Sequence, residues 1–190
     1  PKIMSDFEDG MYKITQMIVG CGYRKIVFLT GSDKVPSLKL RQEGFIRAIV
    51  ENGLQPAIFT LDEVGYQQAC EKTRWIMQQY ADTEAFVCVN DMIALGVINT
   101  LAVMGLSVPE NKGVTGFDNI VFAQVAFTGI TTVHQDIEAI AQSSVSELLK
   151  MTEGKRHVDL DDATAQMKSM KAESKGQSTE EIKVENSYYP

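Results

Sequence analysis

Cysteine is scarce in this chain and oddly numbered. Cys21, Cys70 and Cys88 are the only three among 190 residues, and no two form a Cys-x-x-Cys pair. Neither a disulfide framework nor a structural zinc site is therefore indicated, and a reducing, cytoplasmic setting is expected. Histidine is scarcer still: His134 and His157 have no partner at a metal-ligand spacing. No run approaches ~18 consecutive apolar residues, so no membrane-spanning helix is expected. No charged-apolar-small signal sequence opens the chain. It starts on Pro1 rather than Met and is expected to be a piece of something longer. Positive charge is also in deficit: 18 basic against 25 acidic residues give −7 and a pI near 4.9. Such a surface repels phosphate backbones, so this piece is not expected to grip nucleic acid alone. There is no Walker A sequence. Gly20-Cys-Gly22 precedes a strand pattern instead of following one and lacks a third glycine, so it is no dinucleotide loop. Ser, His and Asp occur at no spacing that favours catalysis. Neither enzymatic activity nor a cofactor is expected.

What the chain does contain is alternation. Hydrophobic residues make up 44% and charged residues 23%, the mix of an ordinary globular protein. Gly10 opens a helical stripe of Met11, Ile14, Met17, Ile18 and Cys21, and Gly22 sits where a helix stops. Cys21 and Cys88 are thus expected to be buried small hydrophobes. Lys25 to Thr30 reads as a strand buried on both faces. Leu38, Arg41, Phe45 and Ile49 mark a helix ending near Asn52-Gly53. Pro56 to Thr60 is a short strand, and Ala69, Thr73, Ile76, Met77 and Tyr80 form another helical stripe. Glu84 to Val89 is the next buried strand, Asn90-Asp91 caps a helix running towards Gly105, and Val114 to Phe117 is a further strand. A last long helix follows Thr131-Thr-Val133. Strands alternating with helices predict an α/β fold with a parallel sheet and right-handed crossovers. Such sheets bind ligands beyond the carboxyl ends of their strands, where Ser32-Asp33, Asn90-Asp91 and Asp118-Asn119 all fall. Residues 155–181 are polar and dense in charge, and are expected to be a mobile, solvated insertion. Ile182 to Tyr189 alternates like a terminal strand.

A few residues invite a functional reading. Arg41 lies in a helix that starts after a strand-end turn, so its fork can point into the crevice and hold hydroxyls or a carboxylate bidentately. A plain surface arginine is the competing reading, favoured on helix position alone. Asn90 and Asp118 each follow an apolar strand. Helix capping and ligand contact weigh about equally for them, and for Asp6 ahead of Gly10.

Taken together, these segments resemble the effector-binding domain of the lactose-repressor/galactose-repressor (LacI/GalR) family of transcription regulators. The ordered matches cover about residues 3–154. Ser5-Asp-Phe-Glu-Asp-Gly10 resembles the family's Asp-x-x-x-Gly, and Gly22-Tyr-Arg-Lys-Ile26 its Gly-His-Arg-x-Ile. Arg41-Gln-Glu-Gly-Phe45 resembles Arg-x-x-Gly-Phe, and Asn90-Asp-Met-Ile-Ala-Leu-Gly96 resembles Asn-Asp-x-x-Ala-x-Gly. Gly105-Leu-Ser-Val-Pro109, Gly116-Phe-Asp118 and Thr131-Thr-Val-His-Gln-Asp136 continue the series.

The resemblance implies a two-lobed, periplasmic-binding-protein-like fold (type I) with a ligand cleft between lobes. Residues 1–31 and 132–154 then belong to an N-terminal lobe. Residues 35–130 and 182–190 belong to a C-terminal lobe. The implied effector contacts are Asp6 or Asp9, Arg41, Asn90, Asp118 and Gln135, with Phe117 or Phe7 as an apolar wall. That set suits a neutral ligand rich in hydroxyls or ring nitrogens, with sugars the first choice and purine-like metabolites the second. A homodimer is implied, and DNA contact only through a headpiece absent from this chain. The first strands and helices of the first lobe, and the family's Arg-x-Ser ending, are absent too. The same sensor fused to a signalling output such as a diguanylate cyclase, or serving as a solute-binding protein for sugar uptake, is the alternative. A flavodoxin-like enzyme is a further class, disfavoured by the lack of a phosphate loop. Replacing Arg41 by alanine is expected to abolish effector binding while leaving the melting temperature near normal.

Overall fold

The computed structural model describes residues 3–125, 129–152 and 188–189. A two-residue strand β1 (Met4–Ser5) leads into helix α1 (Phe7–Gly20) and strand β2 (Ile26–Thr30). Then α2 (Pro36–Glu51), β3 (Ala57–Thr60), α3 (Tyr66–Gln79), β4 (Ala85–Cys88), α4 (Asp91–Val103) and β5 (Gly113–Asp118) alternate as the apolar pattern predicts. A short helix α5 (Val121–Val125), strand β6 (Thr131–His134), the long helix α6 (Ile137–Thr152) and strand β7 (Tyr188–Tyr189) follow. The apolar pattern alone missed α5 and β6, both short.

Strands β2 to β6 form one parallel sheet in the order β3-β2-β4-β5-β6. Every residue of β2 and of β4 is buried, because helices cover both faces. Helices α1 and α2 pack on each other, and α3 and α4 make a second pair. Phe28 of β2 stacks on Phe45 of α2 at 4.7 Å between ring centroids. Both side chains are fully buried, and burying a side chain of this size contributes about 1.5–3 kcal/mol. Each helix pair closes through a glycine. A Cβ on Gly44 would lie 2.1 Å from the Glu8 carbonyl oxygen, and one on Gly96 would lie 2.7 Å from that of Tyr66.

Local chemistry sets the helix ends. Asp6 Oδ1 accepts from the Asp9 backbone N–H at 2.8 Å, so α1 starts at Phe7, ahead of Gly10. Such a cap satisfies one of the orphan amides of the first turn. The helix stops at Gly20, leaving Cys21 as an exposed C-cap instead of the buried hydrophobe expected. The following Gly22 has φ 97°, in the region only glycine enters cheaply. Cys70 and Cys88 are buried.

The expected lobe boundary between residues 31 and 35 is corrected by the sheet. β2 is hydrogen bonded to β3 on one edge and to β4 on the other, and α1 packs on α2. Residues 7–30 therefore share one body with 36–118. A strand as apolar as Ile26–Thr30 is buried only as an interior strand, which requires neighbours on both edges. β6 joins the same sheet through β5, so the sheet runs to His134, past the boundary expected at 132. Set apart from it, β1 pairs antiparallel with β7, Met4 opposite Tyr189 and Ser5 opposite Tyr188. Residues 188–189, expected in the C-terminal lobe, thus lie beside the start of the described chain. Residues 155–181 and 182–187 lie outside the described residues. On α6, Ile137, Val145, Leu148 and Met151 are exposed apolar side chains. Among the described residues no helix is long and apolar enough to cross a membrane.

Candidate functional site

The chain runs from β2 outwards to β3, then returns to β4 on the other side of β2 and continues to β5 and β6. Strand order thus reverses between β2 and β4, and beyond the carboxyl ends of such a pair the diverging connections leave a crevice. Arg41, in the second turn of α2, reaches this point. Its Nη1 donates to the Val89 carbonyl at the end of β4, and its Nη2 to Asp118 Oδ1 at the end of β5, at 2.8 Å. The guanidinium packs against two mutually tilted rings, with Cζ 3.8 Å from the Phe117 centroid and 4.7 Å from that of Phe7. Cation–π contact with partly desolvated rings is attractive by roughly 1–2 kcal/mol. Arg41 Nε is buried and has no hydrogen-bond partner.

Asp118 Oδ1 also accepts from Gln135 Nε2, and Gln135 Oε1 accepts from Ser5 Oγ at 2.8 Å. One chain of hydrogen bonds thus links Val89, Arg41, Asp118, Gln135 and Ser5. It spans α2, β5, the segment after β6, and β1. Burial lowers the basicity of Arg41 and raises the Asp118 carboxyl above the usual carboxylate range. In both groups desolvation outweighs the attraction of the partner charge. An ion pair held under that opposition gains when a ligand supplies further hydrogen bonds to either charge.

A second carboxylate lies behind the first. Asp91, the opening residue of α4, is fully buried. Its Oδ2 accepts from the Ile120 backbone N–H at 2.8 Å, and its Oδ1 from Thr132 Oγ1 at 2.5 Å. Desolvation pushes its carboxyl up to about 6; the bonds from Thr132 and Ile120 oppose that shift, and the nearby Asp118 charge adds to it.

Sequence comparison gives this geometry a family. Residues 15–164 match the family described as "Periplasmic binding protein-like domain". The chain belongs to that family. A regulator of Glaesserella parasuis, "HTH-type transcriptional repressor PurR", is 32% identical over 155 residues, covering 78% of this chain and 44% of the relative. A LacI family transcriptional regulator from Silicibacter pomeroyi superposes with a TM-score of 0.70 at 31% identity, covering 78% of this chain and 57% of that one. A dimeric Lac repressor superposes with a TM-score of 0.74 at 25% identity, covering 80% and 56%. The chain spans under half the length of the curated relatives it matches.

Within this periplasmic-binding-protein-like domain, the structure brings together Arg41, Asp118 and Gln135 of the residues singled out from sequence. Asn90 sits at the same edge, where its Oδ1 caps α4 by accepting from the Ile93 N–H at 2.9 Å. Asp6 is buried as the cap of α1, between Ser5 and Phe7 of the cluster. Asp9 is not brought to it. It pairs with Lys13 at 2.7 Å, one turn along α1, because residues four apart share a helix face. Phe117 is corrected as well: its ring is fully buried beneath the Arg41 guanidinium and forms the floor of that residue instead of a ligand-facing wall. Half-buried Phe7 is the aromatic that keeps exposed surface. Ser5, Asp91 and Thr132 were missed. Their partners lie across the fold, and only the polar identity of Asp91 next to Asn90 hinted at more than capping.

The shift at Asp91 has a sign that can be measured. Its carboxyl titrates at about 6 in the folded domain against 3.8 when unperturbed. The native state therefore holds this proton where the unfolded state has lost it. The group's contribution to stability falls as pH rises from 3.8 to about 6, by up to about 3 kcal/mol at 1.36 kcal/mol per pKa unit. Asp91→Asn, which cannot titrate, should gain stability relative to the native protein as pH rises through that window. Urea unfolding of both proteins near pH about 4 and about 7 checks it; a difference independent of pH would contradict it.

Proposed function

We propose that this domain senses a small metabolite at the carboxyl edge of the sheet and passes the binding energy to a DNA-linked output elsewhere in the protein. The carrying observation is the partly buried pair Arg41–Asp118 at the strand-order reversal, extended by Gln135 and flanked by Asn90. Arg41 supplies only donors, Asp118 only acceptors, and Asn90 and Gln135 both. That inventory fits a neutral ligand dense in hydroxyls or ring nitrogens: a sugar first, a purine-like base second. Phe7 offers an apolar edge for a ring. The unpartnered Nε of Arg41 is a donor in reserve, and the raised Asp118 carboxyl is an acceptor that gains from a ligand hydroxyl. The ligand acts by favouring one arrangement of the cleft over another, since only differential affinity shifts such an equilibrium.

The domain's role as the sensor of a transcription regulator is supported by the PurR-type and LacI-family relatives, and its pairing as a homodimer by likeness to the dimeric Lac repressor. DNA contact is assigned to a headpiece outside these residues, and the site of action to the cytoplasm. A thermal-shift panel of hexoses, pentoses and purine bases on the full-length protein tests this reading. A ligand at a hundredfold excess over its Kd stabilises by about 2.7 kcal/mol, or several degrees. One of these classes should raise the melting temperature and none should raise that of Arg41→Lys, which keeps the charge and loses the fork. A well-folded protein that no sugar or base stabilises would overturn the proposal.

A further inference from the structure

We propose that Asp91 is the positioning residue of the effector cleft: it ties the turn Asp118–Ile120 and strand β6 to the start of α4, and so holds Asp118 and Asn90 in one fixed relation. This rests on the reading that Asp118 and Asn90 contact the effector. The argument starts from the backbone. Asp118 has φ 110° and Asn119 φ 54°. Two consecutive non-glycine residues in that region are uncommon, and an aspartate at φ 110° persists only where the surroundings over-determine it. Asp91 supplies that determination from below. One carboxylate oxygen takes the Ile120 N–H, the first amide after the strained pair, and the other takes the Thr132 hydroxyl. Thr132 Oγ1 in turn accepts from the Asn119 N–H at 3.4 Å, and Asn119 Nδ2 meets His134 Nδ1 at 3.1 Å.

Asp91 is also the first residue of α4 and adjoins Asn90, whose side chain caps that helix. Three elements that approach the cleft from different directions therefore meet on one carboxyl group. Gly116 of β5 makes room for it: a Cβ there would sit 2.1 Å from Asp91 Oδ1. Fully buried and covered by these partners, Asp91 acts on a ligand only through its neighbours. The charged and titratable groups around it are Asp118 and Arg41 at the mouth, Cys88 at the end of β4, and His134 of β6 through Asn119. Since opening of the turn would return Asp91 to solvent, protonation of its carboxyl favours the closed turn.

Amide hydrogen exchange on the full-length protein reads this without any effector. Asp91→Ala should speed exchange at Ile120 at least tenfold beyond any change at the β2 and β4 amides Val27 and Val87. Asp91→Asn, which keeps an acceptor for Ile120 and a partner for Thr132, should restore most of the protection. In the native protein, protection at Ile120, corrected for intrinsic rate, should fall as pH rises from 3.8 to about 6, by up to about a hundredfold. In Asp91→Asn it should stay flat. Should Asp91→Ala fail to fold, Gly116→Ala displaces the same carboxylate and should also loosen Ile120 selectively, while the pH arm with Asp91→Asn stands by itself. Equal acceleration at Ile120, Val27 and Val87 would mean a merely structural residue and overturn the proposal, as would a pH profile shared by both proteins. The thermal-shift panel then separates the two readings. If the panel stabilises the native protein, the same compound should bind Asp91→Ala at least tenfold more weakly; undiminished binding would refute the positioning role. If no compound stabilises the native protein, the effector reading fails while the exchange result still decides what Asp91 holds.

Discussion

Alanine in place of Arg41 is expected to lower the unfolding free energy by about 3 kcal/mol or more, besides removing effector binding. The side chain is 7% exposed and packs over the rings of Phe7 and Phe117. Truncating it leaves the Val89 carbonyl without its donor and the Asp118 carboxylate without its cation. Removing one partner of a buried pair costs about 3–5 kcal/mol. Asp118 keeps 27% of its side-chain surface in solvent, which places the loss toward the lower end of that range. Urea unfolding of the single variant measures it. The double variant Arg41→Met, Asp118→Asn removes both charges and refills the space over the rings, so it should recover much of the loss while still binding no effector. A single variant within about 0.5 kcal/mol of the native protein, as surface substitutions usually are, would mean that the guanidinium is not buried against these rings.

Gly44→Ala is the substitution where two physical effects oppose each other and one dominates. In an isolated helix alanine is better than glycine by about 1 kcal/mol. In this fold the new Cβ would sit 2.1 Å from the Glu8 carbonyl oxygen and 2.9 Å from the Tyr12 nitrogen. Both are backbone atoms of α1, so relief requires moving a whole helix that also contacts β5 and β6. Overpacking typically costs about 1–3 kcal/mol even where side chains can yield. A net loss of about 2 kcal/mol or more is expected, seen as a fall of several degrees in the calorimetric melting temperature. A rise would show that α1 and α2 do not approach this closely.

The alternation of strands and helices was legible because β2 and β4 are uninterrupted apolar runs and the helices between them carry single stripes. That Arg41, Asn90 and Asp118 share an edge followed from their positions after apolar strands. Their mutual arrangement did not, since the Arg41–Asp118 contact joins residues 77 apart in sequence, and no local pattern encodes it. Burial of Arg41 was illegible for the same reason: the rings that enclose it come from Phe7 and Phe117 on other elements. This burial reverses the expectation that its loss would leave melting unchanged. Asp91 was hidden by Asn90, whose role as a cap accounted for both polar residues at once. The lobe boundary was misplaced because sequence shows that β2 is an interior strand but not which strands flank it. Cys21 continued the stripe of α1 by spacing, and only the early stop at Gly20 turned it outward.

A crystal structure of the full-length protein grown with the sugar or base that stabilises it most tests the central claim directly. The account predicts that ligand oxygens or ring nitrogens lie within hydrogen-bond distance of Arg41 and Asp118, with Asn90 or Gln135 completing the shell and Phe7 at the edge of its ring. A ligand bound elsewhere on the domain, with Arg41 still bonded only to Val89 and Asp118, would contradict it.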